Sequence, residues 1–113
     1  MELREVLFAT DFSPASEAAG RVARVLASES RARLHMLHVV VPAADLSLGA
    51  EGLVRVTENL GNGLRVELAL LSGSAGHRIV AYASENGIDL IAMGARGGPG
   101  KRGGRWVMTS GER

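Results

Sequence analysis

The sequence predicts a single α/β domain built on an open, doubly wound parallel sheet. Four short runs carry this reading: Val6-Leu7-Phe8-Ala9-Thr10, Leu34 to Val41, Leu64 to Leu71 and Asp89-Leu90-Ile91-Ala92-Met93. Each is apolar with little alternation, the pattern of strands covered on both faces. Segments of helical periodicity separate them, and parallel strands require such crossovers. A length of 113 residues matches one domain.

The first strand stops at Asp11-Phe12-Ser13-Pro14. A serine hydroxyl caps free N–H groups and proline suits the first helical position, so a helix begins here. Ala15, Ala18, Ala19, Val22, Val25 and Leu26 follow at helical spacing, with an end expected near Ser30. Pro42 closes the second strand. Residues 43–62 hold a weak helical signal, with Leu46, Leu53, Val56 and Leu60 set against Gly49, Gly52, Gly61 and Gly63. Leu64 to Leu71 reads as a third, largely buried strand. Ser72-Gly73-Ser74 opens a further helix with Ile79, Val80 and Ala83 inward, and Asn86-Gly87 ends it. Asp89 to Met93 is the fourth strand.

Composition narrows the function. The chain is 46% hydrophobic with only four aromatic residues, so its core is aliphatic. It has no cysteine, hence no disulfide or thiolate metal site. Met1-Glu2-Leu3-Arg4-Glu5 lacks a secretory pattern, and no apolar run approaches the ~20 residues that span a bilayer. A soluble, cytoplasmic protein with no membrane partner is expected. Residues 1–93 carry eight Arg against eleven Asp plus Glu, a net −3, whereas residues 94–113 carry five Lys plus Arg against one Glu, a net +4. A basic end on an acidic body points to an anionic partner there, or to a solubilising tail.

Seven of the fifteen glycines lie in residues 94–113, mostly in the run Gly94 to Arg105. A glycine-rich basic loop leaving the carboxyl end of a strand suits phosphate, because backbone N–H groups can approach an anion closely. The two Arg-Gly-Gly repeats equally suit a tail that binds RNA. A Walker A loop is rejected: Gly100-Lys101 fits its centre, but Ala95 and Arg102 replace the required glycine and hydroxyl. Gly98-Pro99-Gly100-Lys101-Arg102-Gly103 matches Gly-x-Gly-x-x-Gly only literally, since it follows the fourth strand and opens no helix. His35 and His38 fall on opposite faces of a strand and His77 stands alone, so all three read as structural or surface residues. No Ser/His/Asp set emerges, and catalysis has no support. Trp106 and Tyr82 are too few for a base-stacking platform, so nucleic acid is not expected as the main partner. In doubly wound sheets ligands bind beyond the carboxyl strand ends where strand order reverses. Asp11 and Gly94 end the first and fourth strands, and together they would offer a carboxylate and a phosphate loop to a nucleotide. The plainer alternative for Asp11 is a turn or capping residue.

Three stretches resemble the universal stress protein family: Val6-Leu7-Phe8-Ala9-Thr10-Asp11-Phe12-Ser13, Leu37-His38-Val39, and Asp89-Leu90-Ile91-Ala92-Met93-Gly94-Ala95-Arg96-Gly97. Gly73 through Ala83 resembles the family's third helix and its approach. The resemblance implies an adenine nucleotide alpha-hydrolase-like sheet of order 3-2-1-4, extended by a helix and a fifth strand that residues after Gly100 do not supply, leaving the fourth strand as an edge. It divides the chain into a domain over 1–97 and a basic loop or tail over 98–113. It also implies ATP or AMP as ligand, Mg²⁺ arriving with ATP, a homodimer, and regulation in a stress response. By position, Ala9, Thr10 and Asp11 would meet adenosine and ribose, and Val39 and Met93 the adenine pocket. Gly94, Arg96, Gly97 and Gly98 would form the phosphate loop. The family's spacing departs here: Val107-Met108 stand where Gly-Ser/Thr is usual, and one inserted residue brings Thr109 to the hydroxyl position. The alternatives are an interaction module without nucleotide, acting through dimerisation or a protein partner on the fourth-strand edge and the basic tail, and an RNA-binding tail on an inert domain.

Overall fold

The computed structural model describes residues 2–40, 46–60, 63–95 and 104–109. Its elements are β1 (Glu5–Ala9), α1 (Pro14–Ser30), β2 (Arg33–Val40), α2 (Leu46–Leu60), β3 (Arg65–Ser72), α3 (Ala75–Glu85), β4 (Leu90–Ala95) and β5 (Gly104–Thr109). Ser13 is the N-cap of α1, its hydroxyl accepting from the Ser16 N–H at 3.2 Å, with Pro14 in the first turn. Arg31, at φ 57°, ends that helix in the left-handed conformation. Asn86 caps α3 and Gly87 follows at φ +60°, as the Asn-Gly pair predicts.

The sheet has the order β3-β2-β1-β4-β5. β1 pairs in parallel with β2 on one side and β4 on the other, and β3 extends β2. The expected 3-2-1-4 arrangement therefore forms. α1 and α2 cover one face over Val6, Phe8, Leu34, Met36 and Ala92. α3 covers the other through Ile79 and Ala83, against Leu7, Leu37 and Ile91. Successive crossovers turn one way from β1 to β3 and the other way from β3 to β4, which is how right-handed connections distribute helices on two faces.

Three expectations need correction. The fourth strand is not the sheet's edge: Gly104–Thr109 pairs with it antiparallel, from Ala95↔Gly104 to Leu90↔Thr109. An open β4 would leave a row of unpaired N–H and C=O groups, and the chain folds back to satisfy them. Six residues assigned to the tail thus belong to the sheet. β3 is not largely buried, since it is a sheet edge with Leu68 44% exposed. On α3, Val80 points outward at 67% exposure while Ile79 and Ala83 turn inward, and Val25 on α1 is likewise exposed.

The two strand histidines do face opposite sides. His35 is buried beneath α3, with Nε2 2.7 Å from Glu5 Oε1 and Nδ1 2.8 Å from the Tyr82 hydroxyl. A carboxylate only accepts, so Nε2–H donates to Glu5 and Tyr82 O–H donates to Nδ1 in the neutral ring. Burial, with the charges of Glu67 and Glu5 adding and that of Arg33 opposing, raises the Tyr82 pKa above 10.0. The native state then holds the phenolic proton more tightly than the unfolded chain does. The resulting stability is complete below pH ~10 and disappears as pH rises through the folded-state pKa. Tyr82 is the sole tyrosine. Absorbance at 295 nm against pH should show one tyrosinate transition above pH 10 in the native protein, moving down in urea; a native midpoint at the unfolded value would contradict the network.

Candidate functional site

Strand order reverses between β1 and β4, whose ends meet at Ala9↔Met93. The backbone beyond β1 is held from several directions. The Thr10 N–H donates to the Leu37 carbonyl at 2.9 Å, and its buried hydroxyl accepts from the Phe12 N–H at 2.9 Å. Phe12 sits at φ 66°, a left-handed conformation costing a non-glycine residue about 1–2 kcal/mol. Packing holds it there. Its ring lies over Gly52, where an added Cβ would come within 2.5 Å of the ring, and beside His38 at 4.4 Å between centroids. His38 Nδ1–H donates in turn to the Thr10 carbonyl at 2.8 Å.

This strained turn sets Asp11 at the first turn of α1. Its Oδ1 accepts from the Ser13 N–H at 2.9 Å and from the Ser16 hydroxyl at 2.7 Å, while its own N–H donates to Ser16 Oγ at 3.2 Å. The turn-and-cap reading of Asp11 is therefore correct, and the residue is also exposed at the crevice. A carboxylate is favoured at a helix N-terminus by the free N–H groups there. Ser16, 3% exposed, is the residue that sequence reasoning missed. Its signal was the pair Ser13 and Ser16 around a helix start just after an aspartate.

Gly94 is needed for packing as well as for the phosphate approach expected of it. A Cβ on it would fall 2.6 Å from the Ala15 carbonyl carbon and 2.6 Å from the Ser16 nitrogen. The bare Cα lets the first turn of α1 lie against β4, and this seats Ser16 against Asp11.

Six expected site residues converge. Ala9, Thr10, Asp11, Val39, Met93 and Gly94 line one cavity of about 230 Å³ at the carboxyl strand ends, closed on the α3 side by Ala75 and Ile79. Its walls are largely aliphatic with a carboxylate at one side, a lining suited to a planar heterocycle and a hydroxylated sugar. Arg96, Gly97 and Gly98 lie outside the described residues. Thr109 is a correction: it pairs opposite Leu90, at the amino end of β4. Four residues at ~3.3 Å each separate that position from Gly94, so Thr109 stands about 13 Å from the crevice. Residues 104–109 form an antiparallel strand along β4, and this carries Thr109 away from the hydroxyl position.

The sequence model of the universal stress protein family matches residues 2–108. No curated protein matches the chain. Among solved structures, a universal stress protein in complex with cAMP is 25% identical with a TM-score of 0.65, over 80% of this chain and 71% of that one. Hypothetical protein MJ0577, from a structure-based assignment of biochemical function, is 20% identical with a TM-score of 0.72, over 90% and 81%. UspA from Lactobacillus plantarum is 23% identical with a TM-score of 0.68, over 88% and 82%. The last two share the fold.

Proposed function

The chain belongs to the universal stress protein family, and we propose that it is a stress-response regulatory protein binding an adenine nucleotide, ATP or AMP, between the carboxyl ends of β1 and β4. The observation carrying this reading is the convergence of Ala9, Thr10, Asp11, Val39, Met93 and Gly94 on one cavity at the strand-order reversal. A volume of about 230 Å³ is below the roughly 300–1,000 Å³ of complete small-molecule sites. It suits the base and part of the ribose, the phosphates extending outward. In this reading Asp11 accepts from a ribose hydroxyl, Val39 and Met93 flank the base, and Arg96, Gly97 and Gly98 supply charge and N–H groups to the phosphates. Mg²⁺, where present, arrives with ATP. The cAMP complex of a 25% identical relative supports an adenine ligand of some kind.

Binding rather than turnover conveys the signal, and a homodimer is the working unit. No helix among the described residues is long and apolar enough to cross a membrane. The rival reading, a docking module without nucleotide, rested on a bare β4 edge and on the basic C-terminal residues, and β5 covers that edge. Calorimetric titration of the nucleotide-free protein with ATP, AMP and cAMP tests the proposal. One-to-one binding of ATP or AMP at micromolar strength, without phosphate release, is expected. Absence of heat with all three ligands, and no nucleotide carried through purification, would overturn it.

A further inference from the structure

A second cavity lies on the opposite face of the sheet, in the groove between α1 and α2. It measures about 660 Å³, within the range of roughly 300–1,000 Å³ typical of small-molecule sites. Phe8, Phe12 and Val56 give it an apolar floor. α1 lies close over the sheet here because it carries Gly20 above Phe8, where a Cβ would fall 2.8 Å from the ring.

Its rim is cationic. Arg21 and Arg24, one turn apart on α1, and Arg55 on α2 line it, against a single carboxylate, Glu17. Three guanidiniums and one carboxylate give the lining a net charge of +2. Among the described residues the ion pairs are Arg4–Glu2, Arg33–Glu5, Arg33–Glu67 and His35–Glu5, so none of the three rim arginines joins one. Clustered like charges add no stability to the fold, and a planar guanidinium fork matches a carboxylate, sulfonate or phosphate.

We propose that the α1–α2 groove is a second ligand site, on the other face of the sheet from the nucleotide crevice and sharing with its lining only Thr10, which takes a small organic anion with an aromatic or aliphatic body. The anionic group meets Arg21, Arg24 and Arg55, and the body rests on the half-buried Phe12 and Val56, with Phe8 beneath them. An apolar floor beneath a cationic rim selects for both parts in one molecule.

The probe is 1-anilinonaphthalene-8-sulfonate, with neutral N-phenyl-1-naphthylamine as its counterpart lacking the sulfonate. Fluorescence and calorimetry on the folded full chain should show one saturable site for the sulfonate and at least about tenfold weaker binding of the neutral compound. Arg21→Gln with Arg24→Gln should weaken the sulfonate about tenfold, as should Arg55→Gln, with circular dichroism unchanged because all three side chains are exposed. Saturating ATP should leave the affinity within twofold. No saturable site, equal binding of the neutral compound, indifference to the arginine changes, or displacement by ATP would each overturn the proposal.

Discussion

Gly94→Ala is expected to destabilise the ligand-free protein by about 3 kcal/mol, at the upper end for an overpacked site. The added Cβ would meet backbone atoms of Ala15 and Ser16 at 2.6 Å, and backbone cannot rotate away as a side chain does. Relief requires the first turn of α1 to lift from β4. In a domain of this size the melting temperature should fall by roughly 12 °C. The sign is informative. Replacing glycine with alanine at an unstrained strand position usually stabilises by about 0.4–1 kcal/mol, through the unfolded chain. A glycine kept only for phosphate contact would therefore leave ligand-free stability unchanged or improved in the variant. Urea unfolding without nucleotide separates the two roles, and an unaltered midpoint would refute the packing role. The displacement also moves Ser16 and hence Asp11, so nucleotide binding should weaken alongside stability.

The strands, the start of α1 and the end of α3 were legible because their signals are local. Ser13-Pro14 and Asn86-Gly87 specify their conformations almost without reference to the remaining chain. β5 was not legible, because Arg102-Gly103-Gly104 reads as loop and its pairing partner is remote in sequence. Trp106-Val107-Met108-Thr109 does carry strand-forming side chains, a signal outweighed by the surrounding glycines. α2 shows the same bias. Gly49 and Gly52 argue against a helix by propensity at about 1 kcal/mol each, yet α2 runs Leu46–Leu60 through both. Gly52 meets the Phe12 ring, and Gly49 meets His38 and Leu70. These glycines record close approach to other elements, which no local window reveals.

The crevice was legible as far as strand ends define it. Topology alone brings Thr10, Asp11, Val39 and Gly94 to one side of the sheet, since ligands in this architecture gather where strand order reverses. Its far end was misread, because placing Thr109 at the hydroxyl position presumed a phosphate-side loop where residues 104–109 form a returning strand. The internal support was illegible too. Phe12 stands in a strained backbone, held by Thr10, His38 and Gly52, and only the folded structure brings those three together. Strain concentrated beside Asp11 is the kind of local cost that a binding site sustains through its surroundings.

Asp11→Asn and Asp11→Ala should part company in a way that identifies what the carboxylate does. Asparagine keeps an Oδ1 acceptor for the Ser13 N–H and the Ser16 hydroxyl, so it should fold with near-native stability. Alanine leaves both donors without that partner and should lose about 1 kcal/mol, the usual cost of removing a helix-terminal acceptor. If the carboxylate receives a ribose hydroxyl, both variants should bind nucleotide about ten- to a hundredfold more weakly, the range for a lost hydrogen bond to a charged group. Calorimetry reports the affinity and urea midpoints report the stability on the same three proteins. Native-like ATP affinity in Asp11→Asn would show that the aspartate only builds the turn, and the ribose contact would then have to be sought elsewhere in the crevice. Weakened binding at unchanged stability in that variant would tie the negative charge itself to the ligand, because the scaffold it supports would remain intact.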